Sequence, residues 1–241
     1  TLGVITEATV RAHPAPESRR FASRLFPSFA DGLAALREMA REEALPDMTY
    51  LSDEEETRFA SAQAGVSAEE RGGGGAGLAI LEMRGYSLSQ GSLLLMGFEG
   101  SSARVAHRRR RALRHTGGSA NLGAGPAQRW YADRFEMPYL RDSLLDRGVL
   151  VETAETAAPW ANLMAVYEAG GKALRETLWA QAGAGLVLCH VSHVYTDGAS
   201  LYFTFLGKAR EGQEVAQWES LKEAVTRAFV ESGGALSHHH G

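Results

Sequence analysis

The fold is decided by residues 186–206, which read LVLCHVSHVYTDGASLYFTFL. Two apolar runs in this stretch, residues 186–195 and 201–206, flank the turn signal Thr196-Asp197-Gly198. Apolar runs on both sides of an Asp-Gly turn are typical of a β-hairpin. The sequence therefore predicts two adjacent antiparallel strands here, and this hairpin is the clearest element of the chain.

Alternation in the second run divides its side chains between two faces. Leu201, Phe203 and Phe205 belong to one face of a strand, because successive side chains point to opposite sides. Tyr202 and Thr204 then belong to the other face. Two interpretations of Tyr202 stay open at this point: a packed tyrosine whose hydroxyl is satisfied at the rim, or a residue that faces a functional site.

Strand and helix signals alternate along the rest of the chain. Strands are predicted over residues 4–12, 21–26, 48–51, 92–98 and 149–153, and helices over 101–115, 126–145 and 214–231. Three more helices are predicted to begin at Ser28, Ser52 and Pro159, since serine is a common N-cap and proline a common first residue. Because the order strand, helix, strand appears twice, we predict an α+β fold. Its antiparallel sheet is covered by helices on one face, as a duplicated ferredoxin-like unit.

Composition narrows the class of protein. Hydrophobic residues make up 44% and charged residues 22% of the 241 positions, which is ordinary for a globular protein with a substantial core. No apolar run approaches the roughly 20 residues of a membrane span. The single cysteine, Cys189, excludes an internal disulfide framework and fits a reducing cytoplasm. The net charge of -4 gives no general case for nucleic acid as a partner.

A cluster of basic residues occupies the helix predicted over residues 101–115. Arg108 to Arg111 are consecutive, and Arg114 follows one turn later. Four consecutive residues sweep round a helix instead of forming one stripe, and no aromatic residues are interleaved. A solvated face or a subunit contact in a homodimer is therefore favoured over a nucleic-acid surface.

A glycine-rich run, residues 71–77, predicts a flexible tether. It lacks the Gly-Lys-Ser/Thr ending and the preceding strand of a phosphate-binding loop. The chain also lacks the Gly-x-Ser-x-Gly, His-Glu-x-x-His and Cys-x-x-Cys patterns, which disfavours a protease or a zinc enzyme.

Three adjacent histidines, His238, His239 and His240, follow a Gly-Gly helix end. An expression tag usually has about six histidines behind a linker, so a tag is the weaker interpretation. Chelation of a metal is also disfavoured, because neighbouring side chains on an extended chain point to opposite faces. We therefore predict no metal site and favour a proton-transfer loop, since histidine titrates near neutral pH.

Arg141 has two interpretations from the residues alone. Its guanidinium could grip a phosphate or carboxylate as a planar fork. The structural alternative is an ion pair on a helix surface with Asp142 or Asp146. Both chain ends look cut, since the chain begins at Thr1 in an apolar run and stops directly after the histidines. We expect a piece of a longer protein.

Several blocks of the chain resemble a known family of flavoproteins. The N-terminal block is similar to the last FAD-contacting segment of FAD-linked oxidases of the vanillyl-alcohol oxidase (PCMH) type. The other blocks are similar, more narrowly, to the alkyldihydroxyacetonephosphate synthases (alkylglycerone-phosphate synthases). The blocks are residues 1–10 (TLGVITEATV), 26–29 (FPSF), 36–38 (LRE), 139–142 (YLRD), 155–160 (ETAAPW), 198–203 (GASLYF) and 233–241 (GGALSHHHG).

The resemblance implies an arrangement of domains. Residues 1–17 would be the end of an FAD-binding domain and a linker, residues 18–235 a cap domain over the flavin, and residues 236–241 the start of an active-site histidine loop. The rest of the FAD-binding domain would lie upstream of Thr1. FAD is the cofactor implied, and Thr1, Leu2, Gly3, Val4 and Ile5 match residues that contact it.

The resemblance also implies roles for side chains and a reaction. Tyr202 matches a proton-transferring tyrosine, Arg141 a substrate-binding arginine, and His238, His239 and His240 an active-site loop. In that family the flavin does no net redox work while an acyl group leaves and a fatty alcohol enters. The implied partner is an anionic small molecule, a phosphate or a carboxylate that can be a lipid, in a protein of the cytoplasm or associated with a membrane.

Two alternatives stay open. The first is an FAD-dependent dehydrogenase of 2-hydroxy acids, of the D-lactate or glycolate type, whose hairpin carries His-Ala-Gly-Asp-Gly-Asn-Leu-His. This chain keeps His193, Asp197 and Gly198 but has Tyr202 at the second histidine, which argues against metal-assisted dehydrogenation. The second alternative is a non-catalytic ligand-binding or interaction module.

Overall fold

The computed structural model describes residues 3–63 and 81–239. In these ranges seven strands form one sheet in the order β4-β1-β3-β2-β6-β7-β5, with every neighbouring pair antiparallel. The strands are β1 (Ser18–Phe26), β2 (Met48–Ser52), β3 (Ser92–Gly100), β4 (Ala120–Gly123), β5 (Val149–Pro159), β6 (Gly185–Val194) and β7 (Gly198–Lys208). The helices with assigned bounds are α1 (Phe29–Arg41), α2 (Glu54–Gln63), α3 (Ser102–Arg114), α4 (Gly125–Asp133), α5 (Met137–Leu145), α6 (Leu163–Ala182) and α7 (Glu214–Glu231). The predicted α+β fold is confirmed.

The sheet consists of two ferredoxin-like halves. Strands β1 to β4 lie in the order β4-β1-β3-β2, the antiparallel order of a split βαβ unit. Strands β5, β6 and β7 lie in the order β5-β7-β6, which repeats the first three strands of such a unit. The halves join where β2 pairs with β6, through Leu51 with Val191 and Ser52 with His190.

The segment that follows α7 runs along the outer edge of β5. The backbone N–H of Ala235 donates to the carbonyl of Ala157 (2.8 Å), and that of His238 donates to the carbonyl of Glu155 (3.0 Å). The Thr156 hydroxyl donates to the carbonyl of Ala235 (2.6 Å). These bonds satisfy backbone groups that an edge strand otherwise leaves unpaired. They also place the first predicted loop histidine beside Glu155.

Four helices cover one face of the sheet, as predicted; they are α1, α3, α6 and α7. Helix α7 packs on the sheet through Leu221, Val225 and Phe229, which are four residues apart and therefore lie on one side of the helix. Phe203 of β7 is fully buried, 5.4 Å from the ring of Phe229 of α7 and 6.2 Å from that of Tyr167 of α6. Gly170 of α6 allows this approach, because a Cβ there would lie 2.5 Å from the Phe229 ring. The buried helix residues of this layer include Leu33, Leu36, Met39, Val105, Ala112, Val166, Leu174, Leu178, Leu221 and Val225.

Helix α4 lies on the opposite face, near β1. Its Ala127 N–H donates to the Ser23 hydroxyl (3.1 Å), and its Tyr131 ring lies 5.3 Å from Phe21. This helix therefore covers part of the second face at one end of the sheet. The β5–β7 end of that face carries Tyr202.

Of the three helix starts predicted from local sequence, at Ser28, Ser52 and Pro159, the first agrees with the structure. Ser28 is the N-cap of α1 and accepts from the Asp31 N–H, as predicted. Ser52 is the last residue of β2, and the side chain that caps the start of α2 is that of Asp53, which accepts from the Glu56 N–H (2.8 Å). Pro159 ends β5, so the prediction that it begins a helix is wrong. Proline is tolerated at the end of an edge strand because it has no N–H to pair.

Two other predictions from the pattern are corrected. Residues 3–17 have no regular secondary structure, so the strand predicted over 4–12 is wrong. The predicted helix over residues 126–145 is two helices, α4 and α5, separated by residues 134–136. The glycine-rich run over residues 71–77 lies outside the described residues. The domain boundaries at residues 17 and 235 stay predictions.

Part of the arginine run has a structural role. Arg108 pairs with Asp47 and donates to the Leu45 carbonyl (2.8 Å), and Arg111 donates to the Glu42 carbonyl. These contacts tie α3 to the loop that follows α1. Arg109 and Arg110 are exposed, and the subunit contact stays a prediction. None of the described helices combines the length and the apolar character that crossing a membrane requires.

Candidate functional site

Tyr202 stands in the middle of a polar row across three strands. It pairs directly with Glu155 of β5 on one side and with His190 of β6 on the other. Directly opposed residues in an antiparallel pair point to the same face, so these three side chains are neighbours. Tyr202 is half-buried and opposite in direction to Phe203, which confirms the alternation predicted from the sequence.

His190 lies between two tyrosine rings. Its ring stacks on Tyr202, with centroids 4.9 Å apart, and on Tyr50, with centroids 4.2 Å apart. Its Nδ1 lies 3.0 Å from Oε1 of Glu56, a side chain that is only 13% exposed. The Tyr50 hydroxyl donates to the same oxygen (2.7 Å). Burial, and then the Glu56 carboxylate, raise the pKa of Tyr50 well above its ordinary value, so this phenol stays protonated as a donor.

The geometry of this cluster sets which nitrogen of His190 carries hydrogen. Since Tyr50 gives its one proton to Glu56, Nδ1 of His190 is the second donor to that carboxylate. Sequence reasoning missed His190, although the hairpin alternation that singled out Tyr202 would also have placed it on this face.

Glu155 is a buried carboxylate, 4% exposed, held by a chain of hydroxyl groups. Ser192 donates to its Oε1 (2.6 Å), and the hydroxyl of Ser200 lies 2.6 Å from that of Ser192. The backbone N–H of His193 donates in turn to Ser200 (2.9 Å). Burying a charge is costly unless it is hydrogen-bonded, and this chain of donors offsets part of that cost. Glu155 was quoted in the sequence only as part of a block and not as a functional residue.

An irregularity in the hairpin brings His193 toward the same place. The pairing of β6 with β7 shifts register between Val191 and Val194, and such bulges re-aim side chains. The His193 ring lies 5.4 Å from the His238 ring and 5.1 Å from the His239 ring. Burial lowers the pKa of His193; the neighbouring imidazoles also lower it, while Glu155 opposes them.

His238 and His239 both lie beside Glu155. Nδ1 of His238 is 3.3 Å from Oε1 of Glu155, and its Nε2 is 3.3 Å from the Tyr195 hydroxyl. His239 has a φ of 63°, the left-handed region, so the chain turns here instead of continuing extended. The two imidazole centroids are therefore 4.0 Å apart. The sequence argument against chelation assumed an extended chain, and that assumption is wrong at this position.

The other predicted site residues are placed as follows. Arg141 is exposed on α5 and forms neither a hydrogen bond nor an ion pair with any described residue, so the alternative pairing with Asp142 or Asp146 is absent. Gly3, Val4 and Ile5 are exposed, in a segment without regular secondary structure. Thr1, Leu2 and His240 lie outside the described residues. The functional roles assigned to all of these residues stay predictions.

Comparison with known proteins identifies the family. Residues 15–241 match the family model described as FAD linked oxidases, C-terminal domain. This chain belongs to that family. The family confirms the predicted relationship to FAD-linked oxidases and, with it, FAD as the cofactor.

Curated relatives give a narrower similarity. The chain is 32% identical to the alkyldihydroxyacetonephosphate synthase of Dictyostelium discoideum over 245 residues, covering 100% of this chain and 40% of that protein. It is 28% identical to the enzyme of the same name from Trypanosoma brucei brucei, covering 99% of this chain and 40% of that protein. The chain therefore spans about two fifths of the length of the curated relatives it matches.

Solved structures agree with the family assignment. A crystal structure of an alkyldihydroxyacetonephosphate synthase superposes with a TM-score of 0.81 at 29% identity, over 95% of this chain and 42% of that one. A p-cresol methylhydroxylase with bound substrate superposes with a TM-score of 0.53 at 9% identity, over 91% of this chain and 45% of that one. The second similarity shows the fold alone.

The residues around Tyr202 fit a flavin of such a family. Tyr202 and His190 are half-buried on the sheet face that lies opposite the four-helix layer, and Tyr195 at the rim is 44% exposed. These rings, with those of His193 and His238, form an aromatic surface with several proton donors. A planar ring system with polar edges suits such a surface, because aromatic rings pack in stacked and edge-to-face arrangements.

A second buried carboxyl group lies behind the site. Asp53 is 2% exposed; its Oδ1 accepts from the Glu56 N–H (2.8 Å), and its Oδ2 accepts from the Tyr167 hydroxyl (3.1 Å). Burial raises the pKa of Asp53 from its ordinary value of 3.8 to about 7, although the hydrogen bond from the Glu56 N–H opposes the shift. In the unfolded chain this carboxyl is ionised over most of the pH range between 3.8 and about 7.

The raised pKa of Asp53 predicts a pH dependence of stability. Its folded state keeps the proton to higher pH than the unfolded state, so its contribution is most favourable below pH 3.8 and is lost as the pH rises through about 7. We expect Asp53→Asn, which keeps an acceptor for the Glu56 N–H, to raise the free energy of unfolding by about 2–4 kcal/mol near pH 8 and by less near pH 5.

Urea unfolding at the two pH values measures this effect. Asp142→Asn is the matched control, since Asp142 is exposed and has no ion pair or side-chain hydrogen bond to a described residue. A difference between Asp53→Asn and the wild type that stays constant with pH would contradict the prediction.

Proposed function

We propose that this chain is the substrate-binding cap of an FAD-dependent enzyme that carries out the alkyldihydroxyacetonephosphate synthase reaction. The observation that carries the proposal is the meeting of Tyr202 and His238 on the two sides of buried Glu155. The similarity to the named synthases over the whole chain supports it. In this proposal an acyl group on a dihydroxyacetone phosphate is replaced by a fatty alcohol.

Tyr202 is the proposed proton-transferring group. Its strand is held by β5 and β6 on both sides, so the phenol has a fixed position relative to a bound ligand. The stacked His190 and the directly opposed Glu155 limit rotation of the ring. Bound FAD supplies the electron-accepting ring beside which the substrate reacts. A phenol on a rigid strand suits proton transfer there, because catalytic groups on strands are placed more accurately than groups on loops.

His238 and His239 are the proposed second proton-transfer groups. The buried Glu155 carboxylate faces Nδ1 of His238, and the Tyr195 hydroxyl faces Nε2. An imidazole oriented by a carboxylate on one side can hold or release a proton on the other. We assign His240 the same role on the basis of the sequence resemblance.

The reaction itself tests the proposal. Flavin-containing full-length protein is incubated with an acyl dihydroxyacetone phosphate and a long-chain alcohol, and the products are identified by mass spectrometry. We expect an ether-linked dihydroxyacetone phosphate together with one equivalent of free fatty acid. Reduction of the flavin by D-lactate without ether formation would replace the proposal with a 2-hydroxy-acid dehydrogenase. Binding of the acyl dihydroxyacetone phosphate with neither ether formation nor flavin reduction would replace it with a binding module.

Arg141 is the proposed ligand of the substrate phosphate. We expect Arg141→Lys to raise the KM for the anionic substrate by about tenfold with a smaller change in kcat, because a lysine replaces the bidentate fork with a point charge. Steady-state kinetics on the full-length protein measure both constants. Arg110→Lys, an exposed arginine on α3, is the control. Equal KM values for Arg141→Lys and the wild type would remove Arg141 from the binding site.

A further inference from the structure

We propose that Glu155, His238 and His239 form a binding site for a divalent zinc-like ion, and that the ion inhibits the enzyme. The inhibition rests on the proposed function, since it requires that the two histidines transfer protons. The binding does not. The ligand atoms of the three side chains lie within 4.8 Å of one another.

The distance between two of the ligand atoms already suits a metal. Oε1 of Glu155 and Nδ1 of His238 are 3.3 Å apart. Zinc sites are tetrahedral with nitrogen and oxygen ligands at about 2.0–2.2 Å, which places neighbouring ligand atoms about 3.3–3.6 Å apart. The His239 ligand atom has only to approach further, and its exposed side chain has room to do so.

The buried nitrogen of His238 provides a second, independent observation. Nδ1 is buried and makes no hydrogen bond to a described residue, although Oε1 of Glu155 faces it at 3.3 Å. A buried polar atom that makes no hydrogen bond destabilises the protein, because it has lost its contacts with water. A metal ion between the imidazole and the carboxylate would satisfy this atom.

The surroundings hold the ligands in a metal-binding orientation. The Tyr195 hydroxyl lies at Nε2 of His238, the nitrogen that the ion does not use, and Ser192 donates to the Glu155 carboxylate. Outer partners of this kind orient ligands in known metal sites. The left-handed φ of 63° at His239 is a conformation that costs energy in a residue with a side chain. It turns two adjacent imidazoles toward one carboxylate.

The ligand set selects the class of ion. Two imidazoles and one carboxylate suit zinc and related transition metals, whereas magnesium and calcium prefer oxygen ligands only. Three protein ligands leave a fourth position for water, or for His193, whose ring is 5.1 Å from that of His239. With Nδ1 of His238 bound to the ion, Nε2 carries the only hydrogen of the ring and cannot take up another, so the bound state blocks proton uptake by His238.

Metal binding is measured without reference to activity. Metal-free, flavin-containing full-length protein is titrated with Zn²⁺ by isothermal calorimetry, and with Co²⁺ by the visible absorption that a tetrahedral cobalt site produces. We expect one equivalent to bind. His239→Ala and Glu155→Gln are each expected to weaken binding by more than about tenfold, and Tyr195→Phe, which removes an outer partner, by about 10-fold or more. His107→Ala, an exposed histidine on α3, is the control and is expected to bind as the wild type does.

The outcomes separate this proposal from the proposed function. Absence of stoichiometric binding, or equal affinity in the wild type and in His239→Ala, overturns the metal site even if ether synthesis is observed. Because His239 is exposed, that variant tests the site even if Glu155→Gln fails to fold. Binding that the variants weaken, in a protein without ether synthesis, upholds the site and rejects the proposed function. Ether synthesis that Zn²⁺ saturating this site leaves unchanged overturns the inhibition.

Discussion

Replacing Tyr202 with phenylalanine is expected to lower turnover of the full-length enzyme by about 10²–10⁴-fold, the usual loss when a positioned acid–base group is removed. The substitution removes only the hydroxyl. The ring keeps its place between Glu155 and His190, because pairing of β7 with β5 and β6 fixes it. FAD is therefore expected to stay bound at full occupancy.

Turnover and flavin content are measured on the same preparations. Tyr131→Phe is the matched control, since it also removes one hydroxyl, from a ring on α4 that packs on Phe21 at the other end of the sheet. We expect it to retain wild-type turnover. Unchanged turnover in Tyr202→Phe would remove this phenol from the mechanism, whereas loss of flavin would show a structural role.

Replacing Phe203 with alanine is expected to lower the free energy of unfolding by about 3–5 kcal/mol, the range for large-to-small changes of an aromatic core residue. Phe203 is fully buried between α6 and α7, and its ring packs 5.4 Å from that of Phe229. The substitution leaves a cavity that the two helices cannot close, because both are held by other buried side chains. The substitution also removes the buried side chain that holds β7 against the helices next to Tyr202.

Urea denaturation of the purified variants measures the loss. Phe135→Ala is the control, since Phe135 is 69% exposed and is expected to change stability by less than about 0.5 kcal/mol. A loss in Phe203→Ala that is no larger than this would contradict the placement of Phe203 in the core.

Local pattern predicted the elements whose signals lie within a few residues. The bounds of α7, Glu214–Glu231, agree with the prediction because its apolar stripe repeats at every fourth residue. The hairpin was predicted because its turn signal separates two apolar runs. The strand over residues 4–12 was wrong, since an apolar run forms a strand only where another strand pairs with it. At Pro159 the same residue suits the start of a helix and the end of an edge strand, and its neighbours in space decide between them.

The candidate site was predicted only in part, because local patterns do not show which strands lie side by side. Alternation placed Tyr202 opposite Phe203, and the family resemblance pointed to His238 and His239. Neither argument found His190 or Glu155. Both residues belong to the site because their strands pair with β7 on either side of Tyr202. The order of strands is set by contacts between residues far apart in the chain.

The order of amino acids by itself determined the α+β class, the hairpin, and the face of β7 that presents a phenol, because these depend on periodicity over neighbouring positions. Only the tertiary structure decided that Glu155, Tyr202 and His238 meet. That meeting depends on β5 pairing with β7, and on the chain after α7 donating backbone hydrogen bonds to the open edge of β5. The left-handed backbone of His239 then turns two histidines toward one buried carboxylate. The sequence interpretation assumed an extended chain there and therefore missed this turn.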